Sequence, residues 1–341
     1  MSKSDLWSDP KDILRTLRWH AKRSSSVTAS DVAAVLYAPP ATLAKLYDSK
    51  RACTASVKRA FSMIGSCETS QLQSILDDEI ELGRKQIFPI KWGVMKEPLA
   101  RQQFLGDPLL FDDKTLRFVE PALWESIPTP YLVATPDGEL YSRSEAAFGS
   151  DPTLFPLLKE LVEFKCPIHH AKPPTVEYWW QMQTQMYCTG EKCREMTFCS
   201  YKFPYSKSPQ WERFACRVPY SQYAMEHALP LLEYFWALME WADQEDEPSK
   251  DFAREVAQSF EGERADLEHF SPHLLGPEIK KEFTHWYRAD PDLPDPKPEM
   301  RVLRSPALDG ATTSPTMIIE TPGFKAEKKR KLAELLKTSS S

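Results

Sequence analysis

The chain has 341 residues, 42% hydrophobic and 11% aromatic, enough to bury one large core and carry extensions. A net charge of −6 argues against a general polyanion-binding surface, although Arg15, Arg18, Lys22 and Arg23 crowd positive charge near the start. The longest apolar run, Ala228 to Trp236, is far short of a membrane span and no signal peptide is read at the start, so a soluble intracellular protein of the cytoplasm or nucleus is expected. In chain order, residues 12–23 have helical periodicity, with Leu17 inward and Arg15, Arg18 and Lys22 outward. Thr28-Ala-Ser30-Asp31 then opens a helix through Tyr37, with Ser30 as its N-cap. A helix start of this kind also attracts phosphate, and from these residues simple capping explains it equally well.

Pro39-Pro40 breaks the chain, and residues 41–50 read as a short helix. Residues 56–82 read as two more, the second opened by a Ser70-x-x-Gln73 capping box. A helix at 92–104 places Glu97, Ala100 and Arg101 on neighbouring faces, where Glu97 and Arg101 also have the spacing of an ordinary i,i+4 pair. About six strands follow, at 116–119, 131–135, 139–142, 161–165, 195–201 and 211–218. One helix, 176–188, crosses between the fourth and fifth, with Trp179, Met182 and Met186 as its core stripe and Gln181 beside it. Residues 220–242 form a long closing helix.

Beyond it come an acidic linker at 243–250, helices at 253–260 and 277–286, and a disordered stretch at 290–323. Residues 325–336 are basic with helical propensity and suit a nuclear localisation signal, a DNA-contacting tail, a partner helix or a plain solvated helix. Seven scattered cysteines fit reduced thiols, and Cys188, Cys193 and Cys199 lack zinc spacing.

The chemistry gathers between Tyr131 and Gly190. The strand 131–135 runs into a Pro136-Asp137-Gly138 turn, and residues 160–165 alternate polar with apolar. On a strand Glu163 and Lys165 share one face and Phe164 points to the other. If the two strands pair, Asp137 comes beside Glu163. Two carboxylates and the Phe164 carbonyl make a hard-oxygen site for Mg²⁺ or Mn²⁺. Lys165 would position or deprotonate a water, or offset charge on a phosphorane-like transition state, so the chemistry implied is phosphodiester hydrolysis. Held together only by the ion, the carboxylates would repel without it, so neutralising one is expected to leave folding nearly intact. An E-x-K strand is also commonly just a solvated face with a weak charge pair.

The order of these motifs resembles the PD-(D/E)XK nucleases, and within them the lambda exonuclease group of YqaJ-type viral recombinases and viral alkaline exonucleases. Asp137 matches the metal-binding aspartate of the family's PDG turn. Glu163-Phe-Lys165-Cys166-Pro167 matches its E-x-K-C-P, and Gln181 with Gln183 its Q-x-Q. Gly93-Val-Met-Lys-Glu97-Pro-Leu-Ala-Arg101 resembles its G-x-x-x-E-x-x-A-R helix, whose glutamate approaches the metals. Trp19-x-x-x-Arg23 with Thr28-Ala-Ser30-Asp31 matches the segment whose arginine and serine bind a terminal 5′-phosphate.

The resemblance implies an α/β fold with a mixed central sheet flanked by helices, in a nuclease domain at 1–243. A helical extension at 244–289 and a linker with the basic helix at 290–341 would follow. It implies a Mg²⁺- or Mn²⁺-dependent exonuclease that resects linear duplex DNA ends 5′→3′ in recombination. An endonuclease or RNase on the same scaffold, or a non-enzymatic DNA-binding recombination partner, are the rival readings. Asp137, Glu163, Glu97 and the Phe164 carbonyl would hold metal, with Lys165 and Gln181 at the reacting water. Arg23, Ser30 and Thr135 would take the 5′-phosphate, with Lys172 as a substitute for a second pocket arginine, because the place of that arginine is Ala171. The partners it admits are DNA, a single-strand annealing protein and further copies of the chain.

Overall fold

The computed structural model describes residues 10–64, 69–75, 88–112, 114–119, 123–142, 158–190, 193–205 and 210–266. The features expected at 277–286, 290–323 and 325–336 lie outside them, as does the side chain of Arg15. Helices α1 (Pro10–Ser24), α2 (Val32–Tyr37), α3 (Pro40–Met63), α4 (Thr69–Ser74) and α5 (Phe88–Leu105) precede most of the strands. The helix expected at 41–50 does not stop there: α3 runs for 24 residues from Pro40, a residue preset for the first helical turn. No Gly or Pro falls between Lys50 and Ser56, and Leu43, Tyr47, Lys50, Cys53, Val57 and Ala60 keep one buried face going through the gap.

Two sheets form. A five-stranded mixed sheet has the order β2 (Leu116–Val119), β5 (Gly138–Ser142), β6 (Leu158–Lys165), β7 (Glu195–Lys202), β8 (Glu212–Pro219). All pairs are antiparallel except β6 with β7, which α6 (Val176–Cys188) connects. A three-stranded sheet has the order β1 (Val27–Thr28), β4 (Leu132–Ala134), β3 (Trp124–Glu125). This corrects the expected pairing. The strand before the PDG turn pairs with β1 and β3, and it is the strand after the turn, β5, that pairs with β6. Pro136 lacks an N–H to extend a ladder, and the chain changes sheets there. Gly138 opens β5 because the Phe118 ring lies over it, only 2.3 Å from where a Cβ would sit.

The β6 side chains alternate between two cores. Val162 and Phe164 pack with Phe104, Leu140, Cys199 and Tyr201 on the α5 side. Leu161 packs with Trp179, Trp180, Met182 and Met186 of α6, and with α7 (Gln222–Ala242) beyond. Both faces are covered, as a strand with a parallel neighbour requires. Glu163 and Lys165 therefore project under a helix, Glu163 buried and Lys165 partly exposed.

Residues past α7 join the same core. After α8 (Pro248–Glu255) a π-helical turn, Val256–Phe260, leads into α9 (Glu261–Asp266). Phe252 stacks on Tyr47 at 4.2 Å, and Phe260 stacks on Tyr234. Arg264, 1% exposed, donates to the carbonyls of Ala34, Val35 and Ala38 at the end of α2, where Ala34 also accepts from the Ala38 N–H.

Candidate active site

The PDG turn reaches β6 through its last rung. Gly138 pairs with Val162, the Asp137 N–H donates to the Val162 carbonyl at 2.9 Å, and Asp137 Oδ2 accepts from the Phe164 N–H at 2.8 Å. A side chain thus continues the ladder where the β5 main chain ends. The N–H and C=O of one strand residue leave along the same edge, so the Phe164 carbonyl lies on the Asp137 side.

Glu163 is 1% exposed and accepts from three directions. Lys165 Nζ lies 2.5 Å and Gln181 Nε2 2.7 Å from its Oε1, and Gln185 Nε2 lies 2.8 Å from Oε2. Lys165 also donates to Gln181 Oε1 at 3.2 Å, and its ammonium sits 4.6 Å from the centre of the Tyr178 ring. Burial works to lower the Lys165 pKa, but the charges of Glu163 and Asp137 and the hydrogen bond to Glu163 overturn it and push it up to about 12. The ammonium therefore keeps its proton. Cys166, next in the chain, is pushed up to about 12 by burial and by the Asp137 carboxylate, so its thiol is no nucleophile.

The two-stranded contact of β1 with β4 supplies the other wall. Val27 and Thr28 pair with Leu132 and Val133, and the Ala29 N–H donates to the Val133 carbonyl. That lays the residues after Arg23 alongside the strand ending at Thr135. The Arg23 guanidinium stacks over Trp19 at 4.6 Å. Ser30 is not the cap of α2: Asp31 occupies that position, and neither side chain bonds the helix amides. Instead Ser30 Oγ meets Thr28 Oγ1 at 2.9 Å, and Asp31 accepts from the Thr28 N–H and hydroxyl. Lys50, buried, joins Asp31 at 2.7 Å and donates to the Arg23 and Ser26 carbonyls, fixing the bend. Burial alone would raise the Asp31 pKa, but the Lys50 charge and these bonds hold it below the usual range.

A cleft of about 310 Å³ opens between these walls. Asp137, Glu163, Phe164, Lys165 and Gln181 line one side, Arg23, Ser30 and Thr135 the other, and α5 adds Gly93 and Glu97. Every residue expected at the site is there except Lys172, which is exposed and tied through its main-chain N–H to Ser200. Gln183 of the Q-x-Q pair is turned away, with its amide donating to the Pro219 carbonyl and its oxygen accepting from the Ser221 N–H. The second carboxamide that reaches Glu163, beside Gln181, is Gln185, one helical turn on, a spacing that could have found it.

The donor chemistry bears on a metal ion. Asp137, 6% exposed, Glu163 and the Phe164 carbonyl offer oxygen alone, and Glu97, 6% exposed, lines the same cleft. Carboxylates buried this deeply need positive charge, and an all-oxygen set fits Mg²⁺ or Mn²⁺. Among the described residues no group of three or more His, Cys, Asp or Glu side chains has metal-holding geometry. No helix among the described residues is long and apolar enough to cross a membrane.

Comparison with known proteins follows the same lines. No curated protein sequence matches the chain. Among solved structures, the alkaline exonuclease LHK-Exo from Laribacter hongkongensis aligns over 71% of this chain and 98% of its own, at 21% identity and a TM-score of 0.40. The same exonuclease in complex with dAMP aligns at 21% identity and a TM-score of 0.39. The profile of the YqaJ-like viral recombinase domain matches residues 18–192, just over half of the chain and the stretch that carries both walls of the cleft. The chain belongs to the YqaJ-like viral recombinase domain family.

Proposed function

We propose that the protein is a divalent-metal-dependent DNA exonuclease that resects linear duplex ends 5′→3′ in recombination. The observation that supports it is the convergence, in one cleft, of the Asp137–Glu163–Lys165–Gln181 group with Arg23, Ser30 and Thr135. The first group suits phosphodiester hydrolysis and the second a terminal phosphate. Asp137, Glu163, the Phe164 carbonyl and Glu97 would hold Mg²⁺ or Mn²⁺, which supplies a Lewis acid at the phosphoryl group.

The chain's own residues do the rest. Lys165, kept charged, offsets negative charge growing on the phosphoryl oxygens. Gln181, bonded to both Lys165 and Glu163, orients the attacking water. Arg23, held over the Trp19 ring, presents its donors to the end phosphate, and that contact sets polarity. An endonuclease or RNase on the same frame remains the rival within this chemistry.

One assay decides. Linear duplex DNA labelled at either end, circular duplex and RNA are incubated with Mg²⁺, with Mn²⁺ or with EDTA. Loss of the 5′ label first, on linear duplex only and only with metal, is the expected result. Cleavage of the circle, preference for RNA, or undiminished cleavage in EDTA would overturn the proposal.

A further inference from the structure

We infer that Gln185 is a positioning residue of the catalytic centre, holding the Glu163 carboxylate in the orientation that receives the divalent ion. The inference rests on the nuclease reading above. It starts from a polar stripe on α6: Tyr178, Gln181 and Gln185 stand at i, i+3 and i+7 and all face β6. Tyr178 lies against the Lys165 ammonium, and Gln181 bonds Lys165 and Glu163 Oε1. Gln185 takes the other carboxylate oxygen at 2.8 Å, and its Nε2 also lies 3.5 Å from the Thr135 carbonyl.

A carboxylate gripped through one oxygen still swings about its last torsion, whose wells are broad. Donors on both oxygens, from side chains one turn apart on a rigid helix, stop that swing. The second contact of Gln185 links Glu163 to the strand end that carries the terminal-phosphate pocket.

The neighbouring Gln183 shows what a merely structural glutamine looks like here. It is as deeply buried, and both ends of its amide are satisfied by main chain. Gln185 is 0% exposed yet spends its donors on Glu163 and Thr135, while its Oε1 is buried without a hydrogen-bond partner among the described residues. An acceptor left in that state is costly unless the site itself uses it. Gln185 also lines the cleft and Gln183 does not.

The test separates positioning from packing. Gln185→Leu removes the donor at similar volume, and Gln185→Met provides a second shape should the leucine variant fold poorly. Mn²⁺ binding is measured on the DNA-free protein by electron paramagnetic resonance, beside kcat and KM on a linear duplex end, with circular dichroism melting as the folding check. Loss of an orienting partner weakens metal sites by about 10–100-fold, so a Mn²⁺ Kd weakened by about tenfold or more is expected. A similar fall in kcat and a nearly constant KM should accompany it. Gln183→Leu should instead lower the melting temperature and leave Mn²⁺ affinity within about threefold of wild type, taking tenfold as the threshold effect.

If wild type binds Mn²⁺ and Glu163→Gln does not, while both Gln185 variants bind and turn over within twofold of wild type, the inference fails and the nuclease reading stands. If wild type neither binds Mn²⁺ nor cleaves, the nuclease reading falls and takes the inference with it.

Discussion

Replacing Glu163 with glutamine gives the sharpest test of the site's energetics. Two adjacent carboxylates would repel without an ion, and on that basis neutralising one should leave folding nearly intact. The structure reverses the sign. Glu163 accepts from Lys165, Gln181 and Gln185, so protein donors already match its charge. A glutamine can face only one side with its oxygen. Its amide must then oppose a donor, and if that donor is Gln185, fully buried, an unsatisfied group costs about 1–3 kcal/mol. Lys165 also loses its closest counter-charge, though its side chain is 23% exposed and water returns part of that loss. Removing a carboxylate that was costly to bury offsets a further part. The net is a destabilisation of about 2–3 kcal/mol, or about 4–12 °C at 2–4 °C per kcal/mol for a domain of this size. Calorimetry in EDTA measures it directly. Turnover with Mg²⁺ should fall by about a thousandfold, the loss of about 4 kcal/mol of charge stabilisation. An unchanged or raised melting temperature, or Mg²⁺-dependent activity within tenfold of wild type, would refute the reasoning.

Lys165→Ala should cut kcat by about two to three orders of magnitude with little change in DNA affinity, and Lys165→Arg should restore only a fraction, since a planar fork does not fit an ammonium's place between the Glu163 and Gln181 oxygens; parallel losses of binding and turnover would make the lysine a phosphate contact. Arg23→Ala should erase a 5′-phosphate preference of about ten- to a hundredfold, one charge-assisted bond of roughly 1.5–3 kcal/mol, while Lys172→Ala should leave it alone because Lys172 is outside the cleft. Initial rates on phosphorylated and hydroxyl ends decide between them. Asp31→Asn should cost about 2–4 kcal/mol at neutral pH by stranding the buried Lys50. Because the folded pKa of Asp31 is depressed, that difference should be complete above pH ~4 and shrink as pH falls through the folded value, measurable as converging denaturation midpoints.

Local pattern carried much of the fold. Alternation in residues 160–165 placed Glu163 and Lys165 on one face, and the apolar stripe of α6 separated Trp179, Met182 and Met186 from Gln181. Partnership between distant strands was another matter. Nothing in residues 131–135 says that they pair with Val27 and Thr28, because that choice depends on a contact across a hundred residues. Ser30 looked like a cap because serine caps helices, but Lys50, 20 residues on, draws Asp31 into that position. Gln183 and Gln185 are identical side chains two residues apart, and which of them reaches Glu163 depends on the rotation of α6 against β6. The Glu163–Lys165 pair was legible because its motif is contiguous; the buried contacts that orient it are not.

The anchoring of Arg264 on α2 has a consequence for synthesis on the ribosome. Arg23 and Ser30 of the cleft are translated well before the side chain that bonds the end of α2 beside them, which is made some 230 residues after the helix, the span from Ala34 to Arg264. At about 5–20 residues per second that is a wait of roughly ten seconds or more before α3 can pack on α8 and Arg264 can bond the end of α2. The nascent chain therefore passes through a long window in which the segment carrying Arg23 and Ser30 is made but the end of α2 still lacks its Arg264 contacts. A ribosome stalled before Phe252 has emerged should carry a chain that proteases cut freely, and release of a further stretch should protect residues near the N-terminus first.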